Sequence, residues 1–240
     1  YRKGAFRIIF GGKLAAFTDS KTRIIPLGGI GYTLTKDHAI HASVSGSARR
    51  PSYTELDYNS PGSIGNRGLK IQDSVNTEIG YTGTLPGDVQ MECTAFRREI
   101  SNAVDWVKPK TGARWQATDL DDVVTYGMEL DGFYNLTKSL QVEGGYTYLS
   151  KDGDDDFYAA RYRLDYPEHA VDLEFVWSLT KEWRVTFANT YQWQTENEIR
   201  TSASHGVNGS LRVEYDPVFL KNAEMRLTCR NLWDDDFQYF

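Results

Sequence analysis

Few side chains in this chain are grouped as site chemistry would need. The densest group is acidic: Asp152, Asp154, Asp155 and Asp156. Carboxylates can hold Ca²⁺, but the dedicated calcium loop with its closing Glu is missing, so the run is read as a solvated connection and no metal site is expected. Hydrolysis by a side-chain nucleophile needs a Ser or Asp with a His beside it. The four histidines are His38, His41, His169 and His205, and no Ser–His pairing is legible around them. The chain is therefore read as no enzyme, and no cofactor is expected. Cys93 follows Val89 and Met91, and Cys229 follows Met225 and Leu227. Both sit on apolar faces of strands far apart in sequence, which suits small hydrophobes better than a disulfide. The net charge of −6 leaves no electrostatic footprint for nucleic acid.

The elements that would carry these residues are strands. At period two, 139–150 has Leu140, Val142, Gly144, Tyr146 and Tyr148 on one face, with Gln141, Glu143, Gly145 and Thr147 on the other. In 182–193, Trp183, Val185, Phe187, Asn189, Tyr191 and Trp193 alternate with Glu182, Arg184, Thr186, Ala188, Thr190 and Gln192. Tyr and Trp stand at both ends of the apolar face. That placement suits a transmembrane β-barrel, whose lipid face is apolar with aromatic rings at each interface. No run approaches the ~20 apolar residues of a membrane helix. The mean hydropathy of −0.53 does not exclude a barrel, because only alternate residues face lipid.

Eleven strands are expected: about 5–16, 22–34, 39–49, 70–84, 88–106, 122–135, 139–150, 168–179, 182–196, 206–216 and 222–232. Short connections at 35–38, 85–88, 137–139, 180–182 and 216–222 alternate with longer ones at 50–69, 107–121, 151–167 and 197–205. The connection at 17–21 is short but falls in the long series. Outer-membrane barrels have short periplasmic turns and longer extracellular loops, which sets the direction of every strand. His38 then lies in a periplasmic turn and His41 faces the lumen. Tyr32, Tyr81, Tyr134, Trp177, Trp183 and Tyr215 fall at the periplasmic level, and Tyr126, Tyr148, Tyr191 and Trp193 at the other. The inward set is Glu78, Glu92, Glu129, Asp131, Glu143, Asp172, Glu174, Arg184, Arg212, Glu214, Glu224, Arg226 and Arg230, a wet and charged lumen. The fold class is thus all-β, an antiparallel up-and-down transmembrane β-barrel. Eleven is odd, while bacterial single-chain barrels are even. An open sheet would leave bare edges in hydrocarbon. The chain is expected to be part of a larger barrel, with strands before Tyr1 and after Phe240.

Residues 48–83 resemble the signature stretch of TonB-dependent outer-membrane receptors. In that family a strand ends in Arg-x-Pro-Ser-x-x-Glu-Leu, here Arg49, Pro51, Ser52, Glu55 and Leu56. A loop carries Gly-Asn-x-x-Leu-Lys, here Gly65, Asn66, Leu69 and Lys70, and the next strand holds Glu78, Gly80 and Tyr81. The stretch 125–137 resembles the family's Gly-x-Glu strand, and 230–238 its Asn-Leu-Phe-Asp element before the last strand. Arg67-Gly68 stands where the family usually has Pro-Asp, and Ile71 where Pro is usual. The entry RYRLDYPEHAVDL (161–173) resembles cobalamin-receptor-like members.

The resemblance implies a 22-stranded barrel of which these would be strands 11 to 21. Residues 1–240 would all be barrel, with the plug domain and its TonB-contacting box outside the sequence. It implies a bacterial outer-membrane location, outer-membrane lipid around the wall, and import of a scarce small-molecule ligand driven by the TonB inner-membrane energy complex. The ligand would be a metal chelate, cobalamin or a glycan. Its contacts would come from loop tips and the upper lumen: Tyr53, Tyr58, Arg67, Trp106, Trp115, Tyr158 and Arg161. Aromatics offer flat contact area and Arg pairs anions. The rivals are a passive porin, which would need a constriction loop and no plug, and an outer-membrane hydrolase on a smaller barrel.

Overall fold

The structure, a computed structural model, describes residues 2–3, 5–17, 20–109, 114–120, 122–152, 158–160, 166–195, 200, 203–220 and 223–235, with 2–3, 20–21, 109 and 158–160 as backbone only. Eleven strands build the wall: β1 (Phe6–Phe17), β2 (Ser20–Thr35), β3 (His38–Arg49), β4 (Gln72–Leu85), β5 (Val89–Ser101), β6 (Val123–Asn135), β7 (Leu140–Asp152), β8 (Pro167–Ser178), β9 (Trp183–Gln194), β10 (His205–Tyr215) and β11 (Met225–Arg230). Each pairs antiparallel with the next in chain order, and a two-residue strand, Arg2–Lys3, pairs with the start of β1. The expected up-and-down sheet is therefore the observed one. Among the described residues no ladder joins β1 to β11, so the sheet is an open part of a barrel.

The register sorts the two faces. One row runs across seven strands as Thr82, Glu92, Asp131, Gly145, Asp172, Thr190 and Asn208, each paired with the next. Side chains alternate along a strand, so Glu129, Glu143, Glu174, Arg184 and Arg212 share that face. Val142, Tyr146, Val185, Phe187, Leu211, Val213 and Leu227 take the other. The polar face is the concave one: Glu92, Asp131, Glu143, Asp172 and Glu174 line a hollow of about 930 Å³. Here Glu214 is nearly buried between Arg226 at 2.9 Å and Arg184 at 3.7 Å, an ion-paired row over three strands. On the convex face Phe10, Leu14, Ile24, Ile79 and Leu227 are exposed. In water that would be a large apolar patch; in a bilayer it would be the lipid contact.

Aromatic rings bound this face. At the periplasmic end Tyr32, Ile40 and Tyr81 share a row, and Trp183 stacks on Tyr215 with centroids 4.4 Å apart. At the other end Tyr148, His169 and Trp193 form a row, with His169 Nδ1 2.8 Å from the Tyr146 hydroxyl. His38 is not in the turn, as expected, but opens β3, where its Nδ1 lies 2.7 Å from the Tyr81 hydroxyl. His41 pairs with Gly80 on the lumen face, as expected. Cys93 and Cys229 are both free.

Two boundaries differ from expectation. The alternation of 88–106 reads as one strand, but β5 stops at Ser101 and Asn102 takes a left-handed φ of 52°. Beyond it, Ala103–Pro109 belongs to a separate sheet. The apolar alternation continues because a loop core, not lipid, receives it. The last strand, expected over 222–232, is only Met225–Arg230 and covers the periplasmic half of β10. Above it the chain turns at Asn231 and Asp234, both with φ of 51°. Leu232 N donates to Gly209 O at 3.0 Å, and the Asp235 carboxylate accepts from Val207 N at 2.8 Å. Trp233 lies across the convex face. Its Nε1 donates to Asn189 Oδ1 at 2.8 Å, and a Cβ at Gly209 would sit 2.4 Å from that nitrogen. The Asn-Leu-Trp-Asp-Asp stretch thus finishes the edge of β10 and covers the amide of Asn189 on an otherwise apolar face.

Arg at Val185 or Leu211 should destabilise the inserted barrel by ~2–4 kcal/mol if the site lies near the midplane. Arg at Thr186 or Ser210, one residue along on the lumen face, should cost far less. Equilibrium unfolding from bilayers measures both, and equal costs would contradict the assigned faces.

Candidate functional site

The buried apolar residues among those described gather at the extracellular end, where loops meet the tops of the wall strands. Ala103–Pro109 and Trp115–Leu120 form a hairpin, Ser63–Ile64 pairs parallel with Trp115–Gln116, and Tyr158–Ala160 pairs with 107–109. Three long connections are therefore joined into one four-stranded sheet. Ala103, Val107 and Leu120 pack on Ile100 and Val123, the inward residues at the tops of β5 and β6. A second cluster holds Leu69, Val104 and Ala117, with Leu56 and Trp106 against it. The hairpin thus folds toward the lumen, and the 50–71 loop is laid over it.

The signature residues of 49–70 build that loop. Ser52 caps the short helix Tyr53–Asp57 (α1): its Oγ accepts from Glu55 N at 3.2 Å, and Glu55 Oε2 accepts from Ser52 N at 2.6 Å. This reciprocal capping satisfies donors that a helix end leaves open. Arg49 holds the same carboxylate with two bonds, 2.9 and 3.0 Å long. Pro51, buried, sits just before the cap. Gly65 N donates to Tyr58 O and Asn66 N to Glu55 O, returning the chain against α1. A Cβ at Gly65 would meet Leu56 C at 2.8 Å, so only Gly allows this approach. Asn66 Oδ1 accepts from Gly68 N at 2.8 Å, shaping the turn that drops Leu69 into the core. Lys70 N then points at the Asp119 carboxylate, 3.3 Å away on the hairpin.

Burial raises the Glu55 pKa, but the bonds from Arg49 and Ser52 outweigh it, and the net shift is downward from 4.5. A carboxylate depressed on folding gives stability that is present above its unfolded value and lost as pH falls through the folded one.

The seven expected ligand residues divide accordingly. Tyr53 opens α1 and is 80% exposed. Tyr58 follows α1 and meets Trp106 edge-on at 6.1 Å. Trp106 packs on the Leu69 cluster, so most of its surface serves the loop core. Trp115 N donates to Gly62 O at 2.9 Å, tying the hairpin to the 50–71 loop. Arg67 is exposed and pairs with Asp57 at 2.5 Å. Tyr158 is placed by its backbone pairing with Pro109, and Arg161 lies outside the described residues. Asp152 ends β7, while Asp154, Asp155 and Asp156 also lie outside the described residues. Among the described residues no group of His, Cys, Asp and Glu is placed to hold a metal ion.

Sequence reading missed Arg23, Arg50 and Lys70. They line a hollow of about 560 Å³ with Arg67, Leu56, Leu69 and neighbouring residues. Arg23 looks like one more strand residue, and only the fold brings it to this rim, where its Nε meets Asp73 at 2.9 Å.

A family model for TonB dependent receptor-like β-barrels matches residues 3–232. The chain belongs to that family. It is a family of receptors and transporters rather than enzymes, and its place is the bacterial outer membrane. A vitamin B12 transporter of Vibrio vulnificus is 24% identical over 164 residues, covering 64% of this chain and 25% of that protein. An iron-regulated outer membrane virulence protein of Vibrio cholerae is 23% identical over 192 residues, covering 73% of this chain and 29% of that protein. The chain thus spans about a quarter of the length of these relatives. The crystal structure of a ferric enterobactin receptor from Pseudomonas aeruginosa shares the fold, with a TM-score of 0.74 at 18% identity over 96% of this chain and 38% of that one.

Ser52→Ala should loosen the 50–71 loop by about 1 kcal/mol, the usual cost of losing an N-cap side chain. Amide exchange of Gly65 and Asn66 reports it. In the unaltered protein the same amides should stay protected at neutral pH and exchange faster as pH falls through the depressed Glu55 value, below the ordinary carboxylate range, once intrinsic rates are corrected. Glu55→Gln should remove that pH dependence, and a dependence that survived would place the titrating group elsewhere.

Proposed function

We propose that this chain is barrel wall from an active importer that takes a scarce extracellular ligand, such as a metal chelate or cobalamin, and passes it through the lumen. A plug domain outside this sequence would fill that lumen, and the TonB inner-membrane energy complex would supply the work. The carrying observation is the loop sheet: three connections joined by backbone pairing, with their own apolar core, over a wide and charged wall. A mouth built this way presents fixed side chains instead of independent flexible tips, which is what specific capture needs. The relatives support the reading, since their names describe a vitamin B12 transporter and an iron-regulated outer membrane protein. Tyr53, Tyr58 and Arg67 are the contact residues the geometry favours; Trp106 and Trp115 hold the loops that carry them.

Deleting 52–66 from the full-length receptor should abolish ligand binding while the barrel still assembles, because none of these residues pairs in the wall. Binding to isolated outer membranes and heat-modifiable gel migration measure the two effects. Unchanged affinity after the deletion would move the site to the other part of the barrel or to the plug.

A further inference from the structure

We propose that the periplasmic connection between β10 and β11 is a membrane anchor, with Val218, Phe219 and Leu220 set into the headgroup and acyl boundary of the periplasmic leaflet. The anchor requires only a wall standing in a bilayer, whatever ligand passes through it.

The connection 216–224 differs in kind from the others at this end. Those at 36–37, 86–88, 136–139 and 179–182 each hold a charged residue and at most one Leu. Here three apolar residues stand in a row, and the charges Asp216, Lys221 and Glu224 fall outside the run. Val218 and Phe219 are each 76% exposed and Leu220 is 47% exposed.

The backbone holds them out. Asp216 N donates to Glu182 O at 2.8 Å, fastening the start of the connection to the neighbouring turn. Pro217 is buried beside it. Leu220 N donates to Pro217 O at 3.1 Å, so Val218 and Phe219 are the central pair of a tight turn. Neither apolar cluster among the described residues includes any of the three.

The strands on either side say what covers them. β10 ends at Tyr215, and Met225 of β11 stands directly across from it. On its other side Tyr215 faces Trp183 and stacks on it. Trp183 and Met225 are exposed. The next row up on the same face is Trp177, Val185, Val213 and Leu227. All belong to the convex apolar face, so the run 218–220 continues that face past its aromatic ring. The concave side offers no such continuity, because there Arg226 lies between Glu214 and Glu224. Exposed to water, the run would be an association hazard. At a bilayer surface Phe and Leu are the residues that enter the boundary between headgroups and acyl chains.

The test places the photoreactive residue p-benzoylphenylalanine at single positions of the full-length receptor in cells. Outer membranes are irradiated and the receptor is examined by mass spectrometry. Position 219 should give a phospholipid adduct, as should position 177 in the wall, while position 181 in a polar turn should give little. Val218→Ser together with Leu220→Ser should cut the yield at 219 severalfold and leave that at 177 unchanged. Heat-modifiable gel migration confirms that each variant assembles. An adduct at 177 without one at 219 would overturn the proposal. So would a yield at 219 that ignores the two serines. A cross-link from 219 to a protein in place of lipid would also overturn it, and would make the turn a docking site for a periplasmic partner.

Discussion

Inside a bilayer there is no water to bond a peptide group, and each N–H or C=O left open costs several kcal/mol. The rest of this structure follows from that constraint. It forces eleven neighbouring strands into continuous ladders, and once the ladders are fixed, period two decides what each side chain faces. Through the middle of the wall, carboxylates and arginines go to the concave side because the convex side cannot solvate them; Arg97 and Glu99 stand on the convex side only at the aromatic level of Tyr126, where they pair with each other. The same constraint explains the end of β10. Where β11 stops short, the chain does not leave the edge bare: Leu232 and Asp235 bond to it, and Trp233 covers the amide of Asn189.

Above the membrane level a different economy holds. Loops there can be solvated, so ordering them needs its own source of free energy. The 50–71 loop draws on three that reinforce one another. A capping box starts α1, a two-bond ion pair from Arg49 fixes Glu55, and Leu56 and Leu69 go under Trp106 and Val104. Residues that look like a recognition motif in the sequence are mostly scaffold. Their neighbours Tyr53, Arg67 and Lys70 are the side chains left exposed at the rim.

How much of this was legible depended on the range of the interaction. Strand faces and directions were, since alternation and connection length are local. Both aromatic levels followed from them. The break at Asn102 was not, because Val104 and Trp106 continue the same period and only the loop core redirects them. Nor was the joining of 63–64, 103–109, 115–120 and 158–160, whose pairing spans long sequence separations with little side-chain signature. For the same reason the packing of Trp106 against the Leu69 cluster could not be read from its place in the sequence. Arg23 was passed over because its partner Asp73 is 50 positions away.

The four-stranded loop sheet also sets the unit of movement at the mouth. Backbone ladders stretch very little, so a pull on Ser63–Ile64 is carried through Trp115–Leu120 and Ala103–Pro109 to Tyr158–Ala160. The three connections are thereby tied into one sheet rather than left as separate fingers, and a displacement of one would have to be shared by the others through their common attachments to the wall, Asn102 among them.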